Sequence, residues 1–476
     1  MHQNKWFSLA GLGLGVFMAT LDSSIVNISL PTLADIFSAR FATVQWVMLS
    51  YSLVLTSLML SAARLGDMVD KKKVYMTGLV LFSFGSLLCG LSPSVGALIG
   101  FRAVQGLGAV MMQSLGIAMA TQIFPPAERG KALGIMGGIV SIGIAVGPAL
   151  GGLLIGLTGW RSIFWVNLPV GLITFFMVRR FVPALVPAQR GQRFDIPGAL
   201  ILLASLGCYA LGMTLGQNLG FANPLPLALL AAALIGLAGL IAVEKRTAQA
   251  MIDLSLFRNP LFSLNLLMGF LTFIVMAGSF ILPFFLELVK GYPTQQVGLM
   301  MMAMPAAMGL TAPASGILSD RFGSRGISMA GLTVVLLGCL TMSTLSQETT
   351  PLGIMLRLAP IGIGFGLFQS PNNSAIMGTA PRERLGIASG LLSLSRTLGQ
   401  STGLPLMGVV FSAFAVRASR GGLPAGADIT SASPAALTSA IHGTYLVGAG
   451  VISLALLLAV IAYRLNKRRE QENNLK

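Results

Sequence analysis

Fourteen apolar runs, each close to the length that crosses a bilayer as a helix, take up nearly the whole of this 476-residue sequence. A hydrocarbon core of about 30 Å is spanned by about 20 helical residues. Such runs lie near 7–30, 44–63, 74–91, 95–118, 132–157, 163–182, 197–216, 225–243, 262–286, 297–318, 327–346, 352–376, 386–414 and 444–463. The longest connections, near 180–195, 244–261 and 415–443, leave almost no chain for a soluble domain. Only 10% of the residues are charged, against about 25% in soluble proteins. The chain is therefore read as an all-α polytopic membrane protein. Its three cysteines, Cys89, Cys208 and Cys339, lie inside apolar runs without metal or redox spacing, and its two histidines cannot build a histidine-based site. No metal is expected.

Orientation follows from the basic residues, because cytoplasmic loops are enriched in Lys and Arg. With the N-terminus inside, 23 of the 31 fall in cytoplasmic segments and 5 in external ones. The remaining three, Arg102, Arg357 and Arg396, fall within runs. An even number of spans brings both termini to the cytoplasm, and a plasma-membrane location is expected, a bacterial inner membrane in particular. The formal net charge of +16 is dispersed over short turns, whereas a nucleic-acid binder gathers its basic residues on one soluble face. No nucleic-acid partner is expected. The partners read from the chain are the lipid bilayer, protons and small molecules, with the protein a monomer.

The two ends of the chain repeat one plan. Leu65-Gly66-Asp67 after run 2 is matched by Leu318-Ser319-Asp320 after run 10, and Arg102 of run 4 by Arg357 of run 12. Glu128-Arg129-Gly130 is matched by Glu383-Arg384-Leu385, and Gly143 and Gly147 of run 5 by Gly399 and Gly403 of run 13. The offset stays between 253 and 257 residues. Two six-helix bundles, 1–185 and 251–464, thus flank two additional helices in 186–250, with a cytoplasmic tail at 465–476. Repeated bundles around a midplane site are the architecture of a rocking transporter.

Several strings carry chemistry. Leu21-Asp22-Ser23-Ser24-Ile25-Val26-Asn27-Ile28-Ser29-Leu30-Pro31 sets a carboxylate near the middle of run 1. A charge there is expensive and is expected to face a water-filled cavity, where it can take up a proton. Arg102 lies inside run 4, followed at i+3 by Gln105. Run 5 holds Gly143, Gly147, Pro148, Gly151 and Gly152; glycines at spacing four make a strip for close helix packing, and the proline bends the helix. The turns Arg64-Leu65-Gly66-Asp67-Met68-Val69-Asp70-Lys71 and Gly316-Ile317-Leu318-Ser319-Asp320-Arg321-Phe322-Gly323-Ser324-Arg325 place an aspartate at a helix end. There it can accept from a neighbouring helix N-terminus or pair with a cation, and so latch one conformation. Gly159-Trp160-Arg161 through Asn167-Leu168-Pro169 reads as an interfacial aromatic anchor with no chemistry of its own.

These strings, in this order, resemble the major facilitator superfamily, and within it the fourteen-helix drug:proton antiporter family. The resemblance covers essentially the whole chain. It implies the major facilitator fold and proton-driven export of lipophilic, cationic compounds. It also implies a substrate cavity lined by Asp22, a part for Arg102 in proton coupling, gating by the 64–73 and 316–325 turns, and an antiporter motif in run 5. Glu287, at the outer end of run 9, could receive the exchanged proton or pair with Lys290. Arg396, with Gln400 on one face of run 13, could balance Asp22 or Glu287 or bind an anionic group. Asn27, Gln105, Asn372, Asn373 and Gln400 are candidates to line the pathway. No G-x-x-x-x-G-K-[ST] loop occurs, so no nucleotide or other cofactor is expected and the proton gradient is the energy source. No catalytic constellation appears, and the chain is not read as an enzyme. Two other readings stay open: a carrier of a lipid, amino acid or metabolite, and a membrane sensor without transport.

Overall fold

Every expected run is helical in the computed structural model, which describes residues 4–39, 41–185, 195–244, 254–292, 294–381, 384–419 and 432–474. No strand occurs among them. The N-terminal half comprises α1 (Asn4–Ile36), α2 (Phe41–Met68), α3 (Lys71–Gly90), α4 (Val95–Ile123), α5 (Arg129–Thr158), the single turn α6 (Ser162–Trp165) and α7 (Asn167–Phe181). The inserted pair is α8 (Ile196–Leu219) and α9 (Pro224–Glu244). The C-terminal half comprises α10 (Pro260–Gly278), α11 (Leu282–Leu288), α12 (Thr294–Met301), α13 (Ala303–Phe322), α14 (Ser324–Met342), α15 (Pro351–Thr379), α16 (Leu385–Ala418) and α17 (Pro434–Asn474). Thirteen helices are long and apolar enough to cross a membrane among the described residues, and α5 occupies the place of the fifth run.

The helices start where a polar side chain meets the first free amides. Asp70, Ser94 and Thr350 accept from the backbone N–H groups of Lys72, Ala97 and Gly353 at 2.9, 3.2 and 3.2 Å, satisfying donors that have no intrahelical partner. α5 and α13 stop at Gly159 and Gly323, whose φ of 84° and 85° is a conformation that glycine adopts without steric cost. Several runs differ from their expected extents, among them the sixth, which is divided between α6 and α7. The ninth breaks into α10, a 3₁₀ turn at Ser279–Ile281 and α11, which restarts with Pro283 in its first turn. Proline lacks the N–H that a continuous helix would need there. The tenth is divided between α12 and α13. α17 extends beyond its apolar run at both ends and takes in most of the tail, because helical hydrogen bonding continues into water where burial of apolar surface stops.

Core packing joins the two halves at one end. The end carrying the Lys- and Arg-rich turns, the basic end, has one hydrophobic core built from both halves: Leu12, Tyr75 and Leu115 are continuous with Phe262, Leu266, Ile376 and Leu391. Toward the opposite end the cores separate. Leu21, Val26, Val47, Trp160 and Phe164 form one in the N-terminal half, and Phe285, Met308, Phe365 and Phe411 belong to another in the C-terminal half. The inserted α8 adds Leu202 and Leu206 to the shared core, and its Tyr209 hydroxyl is hydrogen-bonded to Thr402 of α16. α9 packs on α8 and leaves Leu234 and Ile235 69% and 72% exposed, an apolar surface suited to lipid.

Candidate functional site: a buried ion pair and two latches between halves

Small residues bring α5 against α1. A Cβ on Gly143 would stand 3.2 Å from Thr20 Cβ, and one on Gly147 would strike the Ser24 hydroxyl. That hydroxyl instead donates to the Gly143 carbonyl at 3.1 Å. Gly151 is buried, whereas Gly152 is exposed with nothing near it, so the expected packing strip stops short of Gly152. α5 runs unbroken through Pro148, whose side chain lies outside the described residues.

With α1 so held, Asp22 points into the N-terminal half. Arg102 Nη1 donates to its Oδ2 at 2.5 Å, and the two side chains are 1% and 0% exposed. Gln105 Nε2 and Asn167 Nδ2 both donate to Asp22 Oδ1 at 2.8 Å. The same two amides donate to Ser86 Oγ at 2.7 and 3.2 Å. Arg102 further donates to the Gln105 amide oxygen at 2.6 Å and, through Nε, to the Val47 carbonyl at 3.1 Å. Its guanidinium lies 4.3 Å from the Tyr51 ring centroid. The i, i+3 spacing of Arg102 and Gln105 puts both on one face of α4. Four polar side chains from α3, α4 and α7 thus gather around the one carboxylate of α1, three of them bonded to it directly, and each is buried.

This arrangement corrects three expectations. Asp22 is enclosed and fully engaged rather than facing a water-filled cavity, because Arg102 reaches it from α4. Gln105 joins that enclosed cluster and lines no pathway in this conformation. The 159–169 string does carry chemistry: its aromatic residues pack, Trp160 against Phe37 and Phe164, while Asn167 holds the carboxylate. Asn167 and Ser86 are the residues that sequence reasoning missed. Asn167 left one signal, an amide directly after the apolar and aromatic stretch Ile163–Val166; Ser86 left none.

At the basic end each half's turn aspartate caps a helix of the other half. Asp67 accepts from the Gly386 and Ile387 amides at 3.0 and 2.8 Å, at the start of α16. Asp320 accepts from the Gly130 and Lys131 amides at 3.1 and 3.0 Å, at the start of α5. The capped positions are related by the repeat, with an offset of 256 residues. Lys71 pairs with Asp67 at 2.8 Å, with both side chains buried, whereas Asp320 is exposed. Asp70 caps α3 and accepts from the Leu185 amide at 3.1 Å. Arg64 is buried with its Nε lacking a partner among the described residues, Arg321 is exposed, and Arg325 lines a narrow cleft with Asn265 and Met268.

In the C-terminal half Arg396 Nη2 donates to Asn373 Oδ1 at 2.7 Å, and Asn372 Nδ2 donates to the Asn265 carbonyl at 3.2 Å. Gln400 is exposed. Arg396 therefore does not balance Asp22, whose counter-ion is Arg102. Arg357, the repeat mate of Arg102, stays near its helix start and donates to the Gly353 carbonyl at 3.0 Å. The side chains of Asn27 and Glu287 lie outside the described residues. No group of three His, Cys, Asp or Glu side chains suited to a metal occurs among the described residues.

The sequence matches the Major Facilitator Superfamily over residues 12–404. It is 35% identical over 416 residues to the multidrug resistance protein Stp of Mycobacterium tuberculosis (strain CDC 1551 / Oshkosh), covering 87% of this chain and 77% of that one. It is 35% identical to the riboflavin transporter RibZ of Clostridioides difficile (strain 630), covering 86% and 89%. A tetracenomycin C resistance and export protein of Streptomyces glaucescens is 30% identical, covering 87% and 77%. The fold matches the crystal structure of the human organic anion transporter MFSD10 (TETRAN) with a TM-score of 0.66 at 15% identity, covering 96% and 99%. A fourteen-run helical chain built from two repeated halves, latched to each other and matched along most of its length by drug-resistance transporters, belongs to the major facilitator superfamily.

Proposed function

We propose that the chain exports lipophilic small molecules across the plasma membrane in exchange for protons moving inward, with Asp22 and Arg102 as the coupling element. The observation that carries this reading is their 2.5 Å ion pair, closed off from solvent inside membrane-spanning helices. One proton acts strongly on such a pair. Protonated Asp22 no longer neutralises Arg102, and leaving one member of a buried pair uncompensated costs about 3–5 kcal/mol. Inverting a two-state population from 1:99 to 99:1 takes about 5.5 kcal/mol, so a single proton supplies much of the bias that alternating access requires. Release of the Asp67 and Asp320 latches opens the basic end, and the 23-to-5 asymmetry of basic residues supports a cytoplasmic position for that end and for both termini. The scheme uses the proton gradient and no cofactor, and one chain suffices for it. A cationic preference follows only from a carboxylate that faces the cavity; with Asp22 held by Arg102, lipophilicity is the property carried here.

A second reading, a proton-coupled carrier of a metabolite, is favoured by the 35% identity to a riboflavin transporter. Cells expressing the chain should survive higher concentrations of lipophilic antibiotics than cells with an empty vector; an unchanged panel favours the metabolite. The coupling itself is tested in proteoliposomes under an imposed pH gradient. Asp22→Asn mimics the protonated state permanently and should abolish gradient-driven accumulation of a lipophilic dye. Accumulation at the parental rate would make Asp22 structural.

A further inference from the structure

Arg396 lies within the bundle, partly buried and without a counter-ion among the described residues. It is eleven residues into α16, about 16 Å along the helix axis from its start. No carboxylate among the described residues comes within 4.0 Å of it. The Asn373 amide oxygen takes one Nη2 hydrogen, the Phe273 ring centroid stands 5.7 Å from the guanidinium carbon, and Nε is buried with no acceptor. A guanidinium at such a depth costs several kcal/mol unless it is paired or hydrated, and a neutral amide orients the charge without cancelling it.

Its place on α16 says what can reach it. Gly390 packs on Ala63 of α2, and the Ser393 hydroxyl donates to the Gln113 carbonyl of α4 at 3.5 Å; both belong to the closed basic end. Arg396 and Gln400 follow at three and seven residues from Ser393, on the same helix face. By Gln400 that face is exposed. Arg396 thus sits where the seam between the halves leaves the shared core and opens. A guanidinium whose buried Nε–H has no acceptor among the described residues, oriented by Asn373 and flanked by an aromatic ring, matches a planar anionic group carried on a lipophilic ring system.

We propose that Arg396 and Asn373 form a substrate subsite for the carboxylate of an aromatic acid. The proposal rests on the export reading above and narrows its substrate class to acidic amphiphiles. Three probes on one ring system test it: 1-pyrenebutyrate, its methyl ester, and a pyrenylbutyl trimethylammonium salt. Binding to the purified full-length protein is read by energy transfer from tryptophan. A charge-assisted hydrogen bond contributes about 1.5–3 kcal/mol, so the parent should bind the carboxylate at least about tenfold more tightly than the ester. Arg396→Gln should bring that ratio close to one, and Arg396→Lys should keep part of it. Preference for the ester or the cation, no measurable binding of 1-pyrenebutyrate, or a parallel weakening of all three probes by Arg396→Gln overturns the subsite. Transport of the same probes into proteoliposomes separates the two readings. Arg396-dependent carboxylate binding without any gradient-driven transport sinks the export reading and leaves the subsite standing. Gradient-driven transport of ester and cation without carboxylate preference does the reverse.

Discussion

Arg102 and Arg396, one in each half, are both drawn into the bundle interior, and their surroundings differ in kind. Arg102 meets a carboxylate, an amide oxygen, a backbone carbonyl and an aromatic face. Arg396 meets one amide oxygen and an aromatic face, with Nε left open. The halves share a plan for packing: Gly78 closes on Gly108 in one as Gly331 closes on Gly364 in the other. They also exchange equivalent latches. What they do not share is charge balance. The repeated scaffold has matching small-residue contacts and helix caps in both halves while its two polar interiors differ, one closed on its own carboxylate and one with a donor left without an acceptor among the described residues. The proposed proton coupling rests on the first and the proposed recognition on the second.

The largest effect should come from breaking the balanced arginine. Arg102→Gln leaves Asp22 buried and uncompensated, a loss of about 3–5 kcal/mol that thermal unfolding of the purified protein would show. Asp22→Asn together with Arg102→Gln removes both charges and should recover most of that stability without recovering proton coupling. A double variant as unstable as the single one would mean that shape rather than charge pairing holds the cluster. Next come the latches. Asp67→Asn removes a buried ion pair and weakens two amide hydrogen bonds, worth about 1–3 kcal/mol, whereas the exposed Asp320→Asn weakens a cap worth about 0.5–2 kcal/mol. A cysteine placed at Ser370, buried against the Gly130 carbonyl, reports on this end. An impermeant maleimide in inside-out vesicles should label it faster in Asp67→Asn than in Asp320→Asn, and no acceleration in either would remove the latch role. The smallest loss belongs to Arg396→Gln, which strands no carboxylate among the described residues and removes a charge that nothing there cancels, so stability should stay level or rise. A loss as large as that of Arg102→Gln would erase the contrast between the two halves.

Much of this was legible along the chain. Apolar run length marked the helices, and a constant offset paired Asp67 with Asp320 before either had a partner. Asp22 and Arg102 each stood out as charges in apolar runs, but 80 residues separate them, and nothing local shows which charge answers which. Gln105 could be placed beside Arg102 by helical spacing alone. Asn167 resembled an interfacial residue because its neighbours are aromatic, and its side chain turns inward only because the short α6 redirects the chain ahead of α7. Ser86 is one of two serines in α3, distinguishable only by what faces it.

The sequence by itself determined the number of spans, the two-half plan and which end of the bundle carries the basic turns. These follow from hydrophobic length, repetition and charge, properties that each segment carries alone. Only the tertiary structure decided that Arg102 is neutralised by Asp22, that Arg396 meets no carboxylate among the described residues, and that each half's aspartate caps the other half's helix. Pairing energies depend on a few ångströms between side chains from different helices. Crossing geometry sets those distances, through small residues such as Gly143 and Gly147 that let α1 and α5 approach.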